Sequence, residues 1–184
     1  MKSLLLFLSV TLLFQGFSTQ KLESSFNSLK SADTKENQVL YFNLFPSDFG
    51  TFKRTFDYVG DKPGPLYEKS PDYISRFYAL DKISKKEILK KAINIGINGE
   101  WEADAVSQLQ HNLEPLVLEN VDLTYQILKV RQPKEIESFF YFLFSGPHPQ
   151  HSIPTQLHKL KGLDKSFYNH ILSGHEKALK DSEH

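Results

Sequence analysis

The fold class depends on residues 133–144, which read Pro-Lys-Glu-Ile-Glu-Ser-Phe-Phe-Tyr-Phe-Leu-Phe. The aromatic run by itself suits a buried strand or a buried helix, because periodicity does not separate the two. The flanks favour a helix, since Pro133 suits its first position and Glu135 suits the positive end of its dipole. Gly146 and Pro147 would then end it. A helix that is apolar all round belongs at the centre of a core.

Start and stop signals at helical spacing recur in the chain that precedes this segment. Ser84 and Glu87 form an S-x-x-E capping box, and Gly96 is placed to end the helix that they begin. Residues 70–72 (Ser-Pro-Asp) predict an N-cap, a proline at the first helical position and a first-turn acid. We expect Pro115 to break or kink the helix in which it lies.

These signals predict an all-α protein, a compact multi-helix bundle of seven or eight helices in a single domain over residues 38–184. No run of residues demands a strand, and residues 60–65 (Gly-Asp-Lys-Pro-Gly-Pro) are expected to form a loop. Asn120 is expected to cap a helix. Residues 19–37 form a polar N-terminal segment, in which the helical pattern predicts a weak, frayed helix. Its large apolar residues are Leu22, Phe26 and Leu29.

The first eighteen residues have the pattern of a secretory signal peptide. Lys2 precedes an apolar run over residues 4–14, which as a helix would span about 16 Å, half of a bilayer core. Gly16 and Ser18 are the small residues at −3 and −1 of a cut after Ser18. The leader resembles those of exported bacterial proteins. We therefore expect export through the secretory pathway, to the periplasm or the extracellular space, with residues 1–18 removed.

The composition excludes several classes of protein. The 22 Lys and Arg residues balance 22 Asp and Glu residues, which argues against nucleic acid as a partner. The chain has no cysteine, so disulfides, thiolate zinc sites, iron–sulfur clusters and cysteine nucleophiles are ruled out. No second apolar run is long enough to span a membrane, and no sequence motif calls for a cofactor.

One candidate site contains the single tryptophan. Glu100, Trp101, Glu102 and Asp104 place three carboxylates beside an aromatic platform, as in glycosidases that pair an acid with a nucleophile or base. Acids at the start of a helix are also what the helix dipole favours, so a purely structural role is an alternative.

A second candidate site contains histidines. His148 and His151 stand three residues apart in a loop stiffened by prolines. Two imidazoles would need a third ligand from elsewhere to hold zinc, so we predict no metal site there. Tyr67, with Tyr58 and Tyr73, lies around the loop rich in Gly and Pro and is a candidate for recognition, since aromatics dominate binding hot spots.

Two function classes remain. The first, which we favour, is a non-catalytic binding protein of the inhibitor or immunity kind, with a protein partner contacted through Trp101, Tyr67, His148 and His151. The second is a secreted or periplasmic hydrolase, acting on cell-wall glycan or assisted by a metal. It would use Glu100 with Glu102, or the two histidines. Convergence of these side chains in one cleft would favour the hydrolase.

Overall fold

The computed structural model describes residues 19–182, and the leader predicted over residues 1–18 lies outside them. The described chain is predominantly helical, which confirms the predicted all-α class. Its first helix, α1, covers residues 19–31. The remaining α-helices are α2 Lys35–Leu44, α3 Phe49–Phe56, α4 Ser70–Tyr78, α5 Lys85–Gly96, α6 Ala105–Glu119, α7 Val121–Leu128, α8 Pro133–Phe144, α9 Lys159–Leu163 and α10 Lys165–Asp181.

Ten α-helices over the described residues exceed the predicted seven or eight, and α2 is the helix that the sequence pattern missed. This helix buries Gln38 and Tyr41 while Val39 and Leu40 remain exposed, so it has no apolar stripe for periodicity to detect. The Gln38 amide donates to Asp33 and Asp81 at 2.7 and 2.6 Å. A polar residue is buried there because its hydrogen bonds are made.

Several helix ends follow the sequence signals. Ser84 and Glu87 form the predicted capping box of α5. Pro133 begins α8, and the backbone N–H of Gln132 donates to Glu135 at 3.0 Å. Two other signals were right only in part. Helix α6 continues through Pro115 to Glu119, so the predicted alternative of a break there is wrong. Asn120 occupies the N-cap position of α7 as predicted, but its side chain donates to the Leu116 carbonyl at 2.8 Å and makes no capping bond to α7.

The segment between α3 and α4 also differs from the prediction. Strands β1 (Tyr58–Val59) and β2 (Lys62–Pro63) form a small antiparallel hairpin where a plain loop was expected. Strands of two residues are too short to show alternation in a sequence. A 3-10 turn at Tyr67–Lys69 then runs straight into α4, so Ser70 is the first residue of that helix and not its cap.

Helix α8 lies at the centre of the core, as predicted. Phe139, Phe140 and Phe142 are fully buried. Its closest neighbour is α10, since a Cβ atom added at Gly174 would lie 2.7 Å from backbone atoms of α8. The absence of a side chain at this position lets the two helix backbones approach.

The aromatic residues of α1 to α4 form a second part of the same core. Phe26 of α1 stacks on Tyr73 of α4 with ring centroids 4.1 Å apart, and Phe45 stacks on Phe77 at 4.3 Å. The three apolar residues of α1 are all buried: Leu22, Phe26 and Leu29. Within residues 19–182, no helix combines the length and apolar content needed to cross a bilayer.

Candidate functional site

A cleft of about 220 Å³ lies between α6 and the loop that follows α8. The loop, residues 145–150, forms one wall, and α6 with the segment before it forms the other. The cleft brings together two of the residues predicted from the sequence, Trp101 and His148, with polar residues of α6. Its polar and aromatic lining includes Trp101, Ser107, Gln110, His111, Glu114 and His148.

The floor of the cleft is the C-terminal end of α8, fixed by one side chain of α6. The Gln110 amide donates to the carbonyls of Phe142, Leu143 and Ser145, at 2.6, 3.1 and 2.5 Å. The last carbonyls of a helix have no partner within the helix. Gln110 supplies that partner and thereby holds α6 against the end of α8.

The loop wall of the cleft is held from both sides through Gln150. Its side-chain amide donates to Glu114 of α6 at 2.8 Å. Its backbone carbonyl accepts a hydrogen bond at 2.7 Å from Nε2 of His175 on α10. His175 is 6% exposed, and its ring packs edge-on against Phe144 with centroids 5.2 Å apart. These contacts fix the loop, so the cleft is formed before any ligand arrives.

Trp101 is half-buried at the mouth of the cleft and faces the same loop. A Cβ atom added at Gly146 would lie 3.8 Å from the indole Nε1. The segment that carries Trp101 joins α5 to α6 and has no regular secondary structure at residues 99–102. A half-exposed tryptophan beside polar groups is typical of binding surfaces.

The three predicted acids lie outside the cleft lining. Glu102 forms an ion pair with Lys53, and Asp104 accepts a hydrogen bond from the Tyr67 hydroxyl at 2.8 Å. That bond favours the protonated phenol and raises the pKa of Tyr67 to about 12. Glu100 is exposed.

Of the three tyrosines considered for recognition, Tyr58 and Tyr67 lie at the hairpin and not at the cleft, whereas Tyr73 is buried in the core and is not available for recognition. The rings of Tyr58 and Tyr67 meet edge to face with centroids 4.7 Å apart. Asp104 beside them has a φ of 63°, a left-handed value that a residue with a side chain adopts at a cost. The two aromatic candidates from the sequence, Trp101 and Tyr67, therefore belong to separate surfaces.

Asp57 is a buried acid next to the hairpin that the sequence patterns did not reveal. It is 3% exposed, and its carboxylate accepts from the backbone N–H of Tyr58 at 2.7 Å and of Val106 at 3.0 Å. Burial raises the pKa of Asp57. The residue caps the first turn of α6 from 49 positions away in sequence, a distance at which no local pattern reveals a cap.

The histidine candidates are divided by the fold. His148 and His151 are both exposed, and of the two His148 lines the cleft. His111 and Glu114 were missed, although their spacing of three residues places them on one face of α6. Within residues 19–182, no group of three or more His, Asp or Glu side chains could hold a metal ion.

The four residues whose convergence would favour a hydrolase do not all meet. His148 lines the cleft, whereas Glu100, Glu102 and His151 are not part of its lining. The arrangement instead offers a preformed polar cleft with an indole at its mouth and one carboxylate on its α6 wall. Comparison of the chain with protein-family models, with curated proteins and with solved structures finds no match.

Proposed function

We propose that the chain is an exported, non-catalytic binding protein of the inhibitor or immunity kind, and that it holds a protein partner at this cleft. The observation that carries the proposal is the fixed loop wall, in which Gln150 is bound to Glu114 on one side and His175 on the other. A site that is rigid before binding loses little conformational entropy when a partner arrives, and this favours affinity.

The state of the candidate acids also supports binding over hydrolysis. A glycosidase needs one carboxyl group free to donate a proton and a second placed across the scissile bond. In this chain Glu102 is paired with Lys53 and Asp104 accepts from Tyr67, so each of these carboxylates already holds a neighbouring element in place. Glu100, the remaining candidate acid, is exposed and is not part of the cleft lining.

Export is proposed from the leader pattern over residues 1–18. The fold is compatible with an oxidising compartment, because a chain without cysteine needs no redox control. The mature chain would then bind its protein partner outside the cytoplasm. Such a partner could be an enzyme that the chain blocks.

Site-specific crosslinking tests the binding function. We would place the photoreactive residue p-benzoylphenylalanine at position 111, in the cleft, or at position 86, on the exposed face of α5. Each protein would be irradiated with the secreted and surface proteins of the source cells. From position 111 we expect one discrete crosslinked adduct. An excess of unlabelled wild-type chain should abolish this adduct by competition, whereas an excess of the Trp101→Ala chain should not.

Two results would contradict the proposal. One is equal labelling from positions 111 and 86, and the other is labelling that Trp101→Ala competes as well as the wild type. Turnover of a cell-wall glycan that Glu102→Gln abolishes would instead identify the chain as a hydrolase.

A further inference from the structure

We propose that the cleft takes a cationic side chain of the partner, and specifically the guanidinium group of an arginine. This inference rests on the proposed binding function and names the chemistry that the cleft recognises. Three features of the lining carry it: its charge, the indole of Trp101 at its mouth and its size.

The charge of the lining is negative. Among the described residues that line the cleft, Glu114 is the one acid and none is Lys or Arg. One oxygen of Glu114 accepts from Gln150 at 2.8 Å, and its second oxygen has no hydrogen-bond partner among residues 19–182. A partly enclosed carboxylate with a free oxygen favours a cationic hydrogen-bond donor.

The floor of the cleft adds to this preference. Phe144 and Ser145 place the C-terminal end of α8 in the lining, and this end carries the negative pole of the helix dipole. The Gln110 amide donates to the terminal carbonyls but is uncharged, so this end of the helix keeps its negative potential. The lining also contains the imidazoles of His111 and His148, and Glu114 is its one carboxylate.

The tryptophan at the mouth and the size of the cleft favour arginine over lysine. Tryptophan is the aromatic residue that attracts a cation most strongly over its ring face, and a planar guanidinium stacks on an indole as an ammonium does not. A volume of about 220 Å³ lies below the range of about 300–1,000 Å³ that is usual for whole small-molecule ligands. It suits one long side chain inserted as the anchor of a larger interface.

A peptide pair tests the inference directly. The probes are N-acetyl-Gly-Arg-Gly-amide and the same peptide with citrulline, which keeps the shape of arginine and removes its charge. Trp101 is the single tryptophan, so its fluorescence reports the cleft alone. At pH 8 and constant ionic strength, we expect a saturable change with the arginine peptide and an affinity about tenfold lower for the citrulline peptide.

Two variants on α6 supply the control. Glu114→Gln can still accept the bond from Gln150, so the loop stays in place while the charge is removed. We expect this variant to lose the preference for arginine over citrulline. Glu119→Gln removes an exposed charge from the same helix outside the cleft lining and should keep the preference intact.

Equal affinity for the two peptides, no saturable response, or an unchanged preference in Glu114→Gln would each overturn the inference. These results are distinguishable from failure of the proposed function. If the crosslink from position 111 is competed but the peptides show no preference for arginine, the proposed binding function stands and the proposed cation site is wrong. If the peptides show a preference for arginine but no crosslink is competed, the proposed cation site stands and the proposed protein partner is wrong.

Discussion

The ammonium group of Lys91 is partly buried, and its hydrogen bonds are made to backbone carbonyls. Its Nζ donates to the carbonyls of Phe42 and, at 3.0 Å, of Phe45, at the C-terminal end of α2. It also lies 4.4 Å from the centroid of the Phe42 ring. These contacts join α5 to α2, and burial lowers the pKa of Lys91 to about 8.

This lowered pKa predicts how stability depends on pH. Since the ordinary value is 10.5, the unfolded chain binds more protons at Lys91 than the folded chain between about pH 8 and pH 10.5. The contribution of Lys91 to stability should therefore rise with pH across that window. Urea unfolding of the wild type and of Lys91→Met from pH 7.5 to 10 measures it. The difference in unfolding free energy should shift in favour of the wild type as pH rises.

The matched control for Lys91 is Lys90→Met, which changes an exposed lysine on the same helix. Its difference from the wild type should stay flat over the same range. A difference for Lys91→Met that is flat, or that moves against the wild type, would contradict the account of this residue.

Asp57 carries a second prediction about a single residue. Asp57→Ala leaves the buried N–H of Val106 without its acceptor and removes the cap of α6, at a cost of about 1–2 kcal/mol in unfolding free energy. Asp61→Ala, in the exposed turn of the hairpin, should change that free energy by less than about 0.5 kcal/mol. Chemical denaturation of both variants checks this, and equal losses would rule out a capping role for Asp57.

Among the elements, α8 carries the largest predicted effect. Phe140 is fully buried, with the rings of Phe139, Phe144 and Phe167 at centroid distances of 5.2, 6.1 and 6.0 Å. Phe140→Ala should cost about 3–5 kcal/mol, because it leaves a cavity in the centre of the core. His148→Ala changes an exposed loop residue and should stay within about 0.5 kcal/mol. Similar shifts in denaturant midpoint would show that α8 is not central.

The crossing of α8 and α10 carries its own prediction. In Gly174→Ala, the new methyl group would stand 2.7 Å from the Glu137 carbonyl oxygen and the Tyr141 nitrogen, so the helices must separate. We expect a loss of about 1–3 kcal/mol, although alanine by itself favours a helix more than glycine does. Gly162→Ala in α9 meets nothing within 4 Å and should be neutral or mildly stabilising. Thermal melts of the two variants should move in opposite directions or differ clearly in size.

The elements also show what a sequence can and cannot predict. Signals that act over one helical turn, such as Ser84 with Glu87 or Pro133, gave correct helix ends. Helix α2 was missed because its burial depends on Gln38 bonding both to Asp33, just before the helix, and to Asp81, 43 residues further along the chain. In the same way, Trp101 and His148 could be proposed separately, but their meeting with Glu114 depends on how α6 packs against the end of α8.

At the scale of the whole molecule, the prediction concerns the N-terminus of the mature chain. If residues 1–18 are a cleaved leader, intact-mass spectrometry of the exported protein should give a chain that starts at Thr19 or Gln20. The measurement should be made on protein recovered from outside the cytoplasm of cells that express the full sequence. A chain starting at Met1 and retained in the cytoplasm would contradict both the leader and the proposed place of action.

The hydrogen bonds of Gln150 give the molecule a mechanical link. One side of this residue binds Glu114 in the cleft, and the other binds His175 on α10. A ligand that broke the hydrogen bond between Glu114 and Gln150 would also weaken the hydrogen bond between the Gln150 carbonyl and His175. Amide hydrogen exchange along α10 would then register whether the cleft is occupied, although α10 contributes nothing to the cleft lining.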